Sequence, residues 1–356
     1  MIETPFRYWR VAIRSLCVVI FAGCFHVSAG ASEAAALNAC FPAFAAGSAY
    51  DTGQQSAVSI HASGLIVEFH ESHIAEGALW YRVGKLYGER VNWGPPQNAG
   101  VTGSWPSVVI TKEGYVIAVH ANLETNRNCN LYYRVGHLQP GGDEYQRIMW
   151  KTDFLFWDAG FKPSIAINDR GVIVGVHEAG RGGDGVYYRV GHLRNPAGGD
   201  FTIEWDSPAW GIRYDTGEKP NIALNNHGEV VAVHQVPNES ILHCRRGLVV
   251  GGTIHFTESE RYDDHGTAPA VALLDNGLVM EMHDSGAGTI ARLGRLNLGV
   301  AIIDWSDQLE VGPNLGCHDP AVATNGIHVI HTNTIRPAPY RQELYASVAE
   351  VCQVPE

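Results

Sequence analysis

The chain has 356 residues, 45% of them hydrophobic and 17% charged, with 40 Gly and 14 Tyr, which is too apolar and aromatic for a disordered protein. Its formal net charge of −12 becomes −14 without residues 1–31, which hold Arg7, Arg10, Arg14 and Glu3. So acidic a protein is a poor partner for nucleic acid or for an anionic lipid surface.

Residues 1–14 carry three Arg, residues 15–27 carry no Lys, Arg, Asp or Glu, and Ala29-Gly30-Ala31 follows. A positive start, a short apolar stretch and a small-residue cleavage site predict a secretory signal peptide over 1–31. The uncharged stretch is shorter than the roughly 20 residues that cross a bilayer, so no transmembrane segment is expected. A second reading stays open, because Phe21-Ala22-Gly23-Cys24 resembles a lipoprotein box with Phe in place of Leu, which implies a lipid anchor at Cys24. Either way the protein is expected to be secreted, periplasmic or on the cell surface, where disulfides form.

Apolar runs that close on a histidine recur along the chain, ending at His70, His120, His177, His234, His283 and His331. Their spacings of 50, 57, 57, 49 and 48 residues are those of a propeller or solenoid. Before most of these runs stands a proline-led strand such as Pro106-Ser107-Val108 or Pro163-Ser164-Ile165, joined to the run by a Gly-containing hairpin turn. After it comes a third strand, Trp80-Tyr81-Arg82-Val83-Gly84, Tyr132-Tyr133-Arg134-Val135-Gly136 or Tyr187-Tyr188-Arg189-Val190-Gly191. A fourth strand ends on Trp93, Trp150, Trp205, Phe256 or Trp305. Four β-branched and aromatic strands per repeat, with no amphipathic helix, describe a propeller blade. The prediction is an all-β, six-bladed β-propeller of four antiparallel strands per blade, one domain over 40–352.

The sixth repeat stops after its third strand, between about Leu344 and Val351, and its missing strand is found at the other end of the chain. Phe44 precedes Tyr50-Asp51 by the interval that separates Phe256 from Tyr262-Asp263. A blade shared by the two ends leaves no sheet edge unpaired. Cys40 and Cys352 then fall at the turn of that blade, which predicts a Cys40–Cys352 disulfide. Cys129, Cys244 and Cys317 cannot be paired from sequence.

Each histidine ends a second strand, away from the axis, so the six do not converge on one ion. They read as scaffold residues, each satisfying a backbone or Asp partner, and no metal or cofactor is expected. An Arg inside the third strand must be paired, and Asp51, Asp158, Asp215 and Asp263 are the candidate partners. The same Arg82, Arg134 and Arg189 occur with Trp80, Tyr132 and Tyr187, and Glu71 and Glu178 follow two of the histidines; such groups also hydrogen-bond and stack a sugar ring. Unique to single blades are Asp264 and His265 before blade 5, and His318 and Asp319 before blade 6. These can bind a divalent cation or serve acid/base chemistry. No GxSxG, HExxH, phosphate-loop or CxxC pattern is present.

The P-S-[VI]-A, V-x-V-H-E and [WY]-Y-R-V-G strings resemble a repeat of bacterial secreted β-propeller modules and span residues 40 to 351. In architecture the chain is similar to six-bladed lectins, such as the fucose-binding ones, which place sugars between blades. Their binding motifs do not match here residue by residue, so no site is carried over, and the sialidase-type S-x-D-x-G-x-x-W box is absent. The first expectation is a secreted binding module that recognises carbohydrate multivalently through inter-blade pockets, with a glycan or polysaccharide as partner. The second is a polysaccharide hydrolase or lyase using Asp264, His265, His318 and Asp319. A protein-interaction scaffold on the cell surface is the third.

Overall fold

The computed structural model describes residues 34–74, 77–122, 129–139, 147–180, 183–194, 201–263, 265–296, 302–312, 317–338 and 341–351. Residues 1–33, with the expected signal peptide and Cys24, and also Asp264 and Cys352, lie outside these residues. Among the described residues the strands form six antiparallel sheets around one axis, a six-bladed β-propeller. In blade 3 the strands run outward as Phe161–Ile167, Val172–Glu178, Gly185–Arg194 and Thr202–Trp205. The inner strands neighbour one another in chain order, and the last, Cys317–Thr324, meets the first, Gln54–Ile60.

The repeated strings follow from packing. The Ser after the inner-strand proline reaches the next blade: Ser107 Oγ accepts the Ile165 N–H at 3.2 Å and Ser164 Oγ accepts the Ile222 N–H at 3.3 Å. Inner-strand amides that no strand pairs are thereby satisfied. The Gly that ends the third-strand motif makes room for the aromatic of the outer strand. A Cβ at Gly136 would lie 2.4 Å from Ile148 Cγ2 and 2.8 Å from Trp150 Cε3. Gly136→Ala is therefore expected to lower the melting temperature by overpacking, at a cost of about 1–3 kcal/mol. Gly180→Ala, at a position without positive φ whose Cβ would meet nothing within 4 Å, is the control for the substitution without overpacking.

Five of the six sheets carry a short fifth strand that the sequence presents as a loop motif. In blade 3, Ile212–Thr216 pairs with the first half of the third strand while Thr202–Trp205 covers its second half. The pairing shifts by a bulge beside Asp215, as it does beside Asp158 and Asp263. The bulge turns each of these carboxylates toward the next blade.

The chain ends close the ring through blade 6, where Ser48–Thr52 pairs with the third strand, Ala49 opposite Tyr345. The Ala45 N–H donates to the Val348 carbonyl at 2.9 Å. Leu37, on a short helix over 34–39, and Val351 enter one apolar cluster, which brings the flanks of Cys40 and Cys352 together. Cys40 is disulfide-bonded; because Cys352 is not among the described residues, the Cys40–Cys352 pairing stays a proposal, checked by mass spectrometry of unreduced peptides.

One histidine is displaced from the series. Ala321 pairs with Thr332, as Ala57 pairs with Phe69 and Ser164 with Val176, so the position equivalent to His70 and His177 is Asn333. His331 stands two residues earlier, where blades 1 and 5 have Glu68 and Glu281. The Ile-His-Val-Ile-His string of blade 6 imitates the motif at the wrong register.

Candidate functional site

Two kinds of polar site emerge, one repeated between blades and one unique to the axis. Between blades the second-strand His, the bulged Asp of the preceding blade and the third-strand Arg form a linked set. Asp215 lies 3.5 Å from His234 and 3.0 Å from Arg245, and Asp263 lies 3.5 Å from His283 and 2.8 Å from Arg292. Asp51 pairs with Arg82 at 2.5 Å and lies 4.0 Å from His70, while Asp158 lies 3.4 Å from His177 and 3.9 Å from Arg189. Blade 2 lacks the carboxylate, and Arg134 instead donates to the carbonyls of Thr152 and Ala99 while lying over the Trp150 ring at 4.6 Å. The guanidinium groups are thus engaged within the protein. Tyr187 stacks on His177 with centroids 5.8 Å apart, Tyr132 stacks on His120 at 6.0 Å, and Trp80 lies opposite His70 in the ladder.

The charge states of these histidines differ from blade to blade. Burial alone lowers His70, but the Glu68 carboxylate 3.0 Å from Nδ1 and the nearby Asp51 reverse this and hold it above its ordinary value. His283 is raised in the same way by Glu281 and Asp263. His120 and His331, with burial alone acting on them, are pushed down to about 4. His234 also falls to about 4, chiefly by burial, despite Asp215.

The axial site is built from a backbone feature shared by all six blades. Each inner strand has a bulge near its start, and the residue there holds a left-handed conformation without being glycine. These are Gln55 (φ 54°), Trp105 (51°), Lys162 (47°), Lys219 (52°), Ala268 (50°) and Asp319 (48°). In five of them a proline follows, which ordinarily favours an extended backbone. Non-glycine residues in this region carry strain that the surrounding structure must hold, and such strain gathers at functional sites. Together the six line a cavity of about 320 Å³ where the chain crosses from blade to blade. Two further cavities, of about 160 and 490 Å³, continue along the inner strands to the hairpin turns at the opposite end.

Side chains of the six and of their neighbours hold the ring of strained residues in place. Glu178 Oε1 accepts the Lys219 N–H at 2.5 Å and lies 2.9 Å from Lys162 Nζ. Gln55 Oε1 accepts the Trp105 N–H at 2.9 Å, and His318 Nδ1 lies 2.8 Å from Asp284 Oδ2. Burial raises the Asp319 carboxyl; the Asp284 charge adds to the rise, while Lys219, His318 and Arg336 oppose it. Burial also raises Glu71, and the Asp319 charge reinforces that shift. Glu71 Oε2 is buried with no hydrogen-bond partner among the described residues.

Residues that the sequence separates into two groups therefore meet at one mouth. Glu71, grouped with the inter-blade Arg residues, is acted on by the charge of Asp319, grouped with the blade-specific residues, while Glu178 meets Lys162 and Lys219 on the other side of the mouth. His265 is exposed and does not line the cavity, and Asp264 lies outside the described residues. Sequence reasoning missed Gln55, Trp105, Lys162, Lys219 and Ala268. For the last four the available signal was the residue before each proline, variable where its neighbours repeat; Gln55, followed by Ser56, carries no such mark. Among the described residues no group of three or more His, Cys, Asp and Glu side chains is arranged to hold a metal ion, and no helix is long and apolar enough to cross a membrane.

The fold defines the class, a six-bladed β-propeller, and solved structures share it at low identity. The chain is similar to a protein of unknown function from Dyadobacter fermentans, with 12% identity, a TM-score of 0.57, and coverage of 87% of this chain and 97% of that one. It is equally similar to the Penicillium chrysogenum alpha-L-arabinanase solved with arabinobiose, at 11% identity, a TM-score of 0.57, and coverage of 87% and 99%. Against the Trypanosoma rangeli sialidase the identity is 12% and the TM-score 0.54, over 84% of this chain and 55% of that one. No family profile and no curated protein matches the sequence.

Proposed function

We propose that the protein is an exported, carbohydrate-directed propeller whose saccharide site is the axial mouth, and that it cleaves a glycosidic bond there. The observation that carries this reading is the Asp319 carboxyl, held above its ordinary value by burial and lining, with Trp105, a strained and asymmetric cavity, with the buried and likewise raised Glu71 carboxyl within reach of its charge. Burial disfavours the charged form of each carboxyl, and the Asp319 charge adds a smaller rise at Glu71, so both hold a proton to higher pH than exposed carboxyls would. Asp319, a cavity-lining residue, donates that proton to the leaving oxygen as the anomeric C–O bond breaks. Water supplies the new oxygen at the anomeric carbon and loses its proton to the Glu71 carboxylate. Trp105, whose ring lies under Lys162 Nζ at 5.8 Å and in edge contact with Phe161, supplies the aromatic surface against which a sugar ring stacks. The arabinanase and the sialidase, which share the fold, are enzymes named for sugar chemistry, and this supports the substrate class.

One unequal mouth also favours a single site per chain over six equivalent inter-blade sites, because the inter-blade Arg groups are engaged in ion pairs and carbonyl hydrogen bonds. Release of reducing ends from a panel of polysaccharides tests the reading. Release that Asp319→Asn abolishes while retention on the polysaccharide persists supports it. Retention by the wild-type protein with no release would leave a binding module instead. The N-terminal mass of the exported protein distinguishes cleavage after Ala31 from lipidation at Cys24.

A further inference from the structure

The chain contains only five lysines, Lys85, Lys112, Lys151, Lys162 and Lys219, and carries a net charge of −12. Two of the five occupy equivalent strained positions in adjacent blades, 3 and 4, and line the axial cavity. In an acidic protein this concentration of cations at one mouth calls for a reason.

We infer that the axial mouth selects a carboxylated saccharide, such as a uronate-containing polysaccharide, whose carboxylate is held by Lys219 and Lys162. The inference rests on the mouth being the saccharide site. Local neutralisation does not account for both lysines. Glu178 is satisfied by the Lys162 ammonium and the Lys219 backbone N–H; among the described residues Lys219 Nζ forms no ion pair within 4 Å, and the carboxyl its charge acts on, Asp319, is nonetheless held above its ordinary value. The other charged groups around the mouth have their own partners or are carboxyls held above their ordinary values by burial. Asp284 is paired with His318, Glu218 accepts hydrogen bonds from the Gln235 amide and the Asn238 N–H, and Asp319 and Glu71 are raised. Arg336 is exposed and adds positive charge near Asp319.

Blade order gives the mouth two sides. Trp105 of blade 2 faces Ala268 of blade 5 across the axis, and the smallest of the six side chains leaves room opposite the largest. On one side of that line stand Lys162 and Lys219, and on the other Asp319 and Gln55. A ring stacked on Trp105 with its carboxylate toward the lysines presents its far edge to Asp319. The carboxylate is then held by the lysines while Asp319, on which the Lys219 charge also acts, meets the ring from blade 6.

Affinity electrophoresis of the intact protein through polygalacturonate, alginate and hyaluronan, each compared with its carboxyl-reduced form, tests this. At least one acidic polymer is expected to retard the protein about ten-fold more strongly than its reduced counterpart, with the difference shrinking at high salt. Lys219→Gln is expected to bring the two forms within about two-fold while leaving the melting curve unchanged, since Lys219 Nζ supports no internal ion pair. If no acidic polymer is bound better than its reduced form, including the case of no retardation by either, the inference is overturned. Retardation by the neutral forms that Trp105→Ala removes would preserve the axial saccharide site without its charge selectivity. Selective retardation insensitive to both Lys219→Gln and Trp105→Ala would place the ligand elsewhere and overturn the functional reading as well.

Discussion

Asp319→Asn protein is expected to lose glycosidic cleavage by about 10²–10⁴-fold, the span over which a positioned general acid contributes, while binding the same polysaccharide with little change. Asn keeps the size and a hydrogen bond but has no proton to give. The pH profile follows from the same group. As pH rises through the raised value of Asp319 the acid ionises, so turnover falls on the alkaline side at a higher pH than an ordinary carboxyl would set. Asp319 also holds a left-handed backbone (φ 48°), so the melting curve of the variant must overlay that of the wild type for the comparison to stand. Activity within ten-fold of wild type would remove Asp319 from the role of acid.

The second large effect is loss of stability in acid. His120, His234 and His331 are nearly or fully buried and titrate at about 4 when folded, against 6.5 when unfolded. Their contribution is fully present above 6.5 and is lost as pH falls from 6.5 toward 4, because only the unfolded chain takes up these protons. Each is worth on the order of 3 kcal/mol across that window. His70 and His283 act in the opposite sense. Their folded values lie above 6.5, so their contribution is complete below 6.5 and fades as pH rises through the folded value. The melting temperature is therefore expected to peak close to the ordinary histidine range and to fall steeply below it. Calorimetry from pH 8 to 4 checks this, and His120→Phe is expected to shallow the acid limb by about a third. A melting temperature that stays flat down to pH 4 would contradict the buried, neutral state of these rings.

The ring was legible in the sequence because its packing rules repeat. The Gly of Tyr-Arg-Val-Gly lies under an outer-strand Trp or Phe, the Ser after proline reaches the next blade, and the Asp lies between His and Arg, so each residue type recurs wherever its contact recurs. The closure was legible for the same reason, since Tyr50-Asp51 carries the pattern of Tyr262-Asp263. Blade 6 was read in the wrong register because Thr332-Asn333-Thr334 has given up the apolar alternation, and only the pairing of Ala321 with Thr332 shows that Asn333 takes the His position. The mouth was illegible for the opposite reason. Gln55, Trp105, Lys162, Lys219, Ala268 and Asp319 share a backbone conformation but no side chain, so they leave no periodic trace, and a residue before proline ordinarily reads as extended. Two Lys-Pro pairs in a chain with five lysines were the visible sign.

The central claim is that one axial mouth, not a set of equivalent inter-blade pockets, holds the carbohydrate. Titration calorimetry with a defined oligosaccharide of a polymer the protein binds, using Asp319→Asn to prevent turnover, measures this directly as a stoichiometry. One ligand per chain, lost on Trp105→Ala and kept when the inter-blade Tyr187 is changed to Phe, is the predicted result. Several ligands per chain, unaffected by Trp105→Ala, would contradict it.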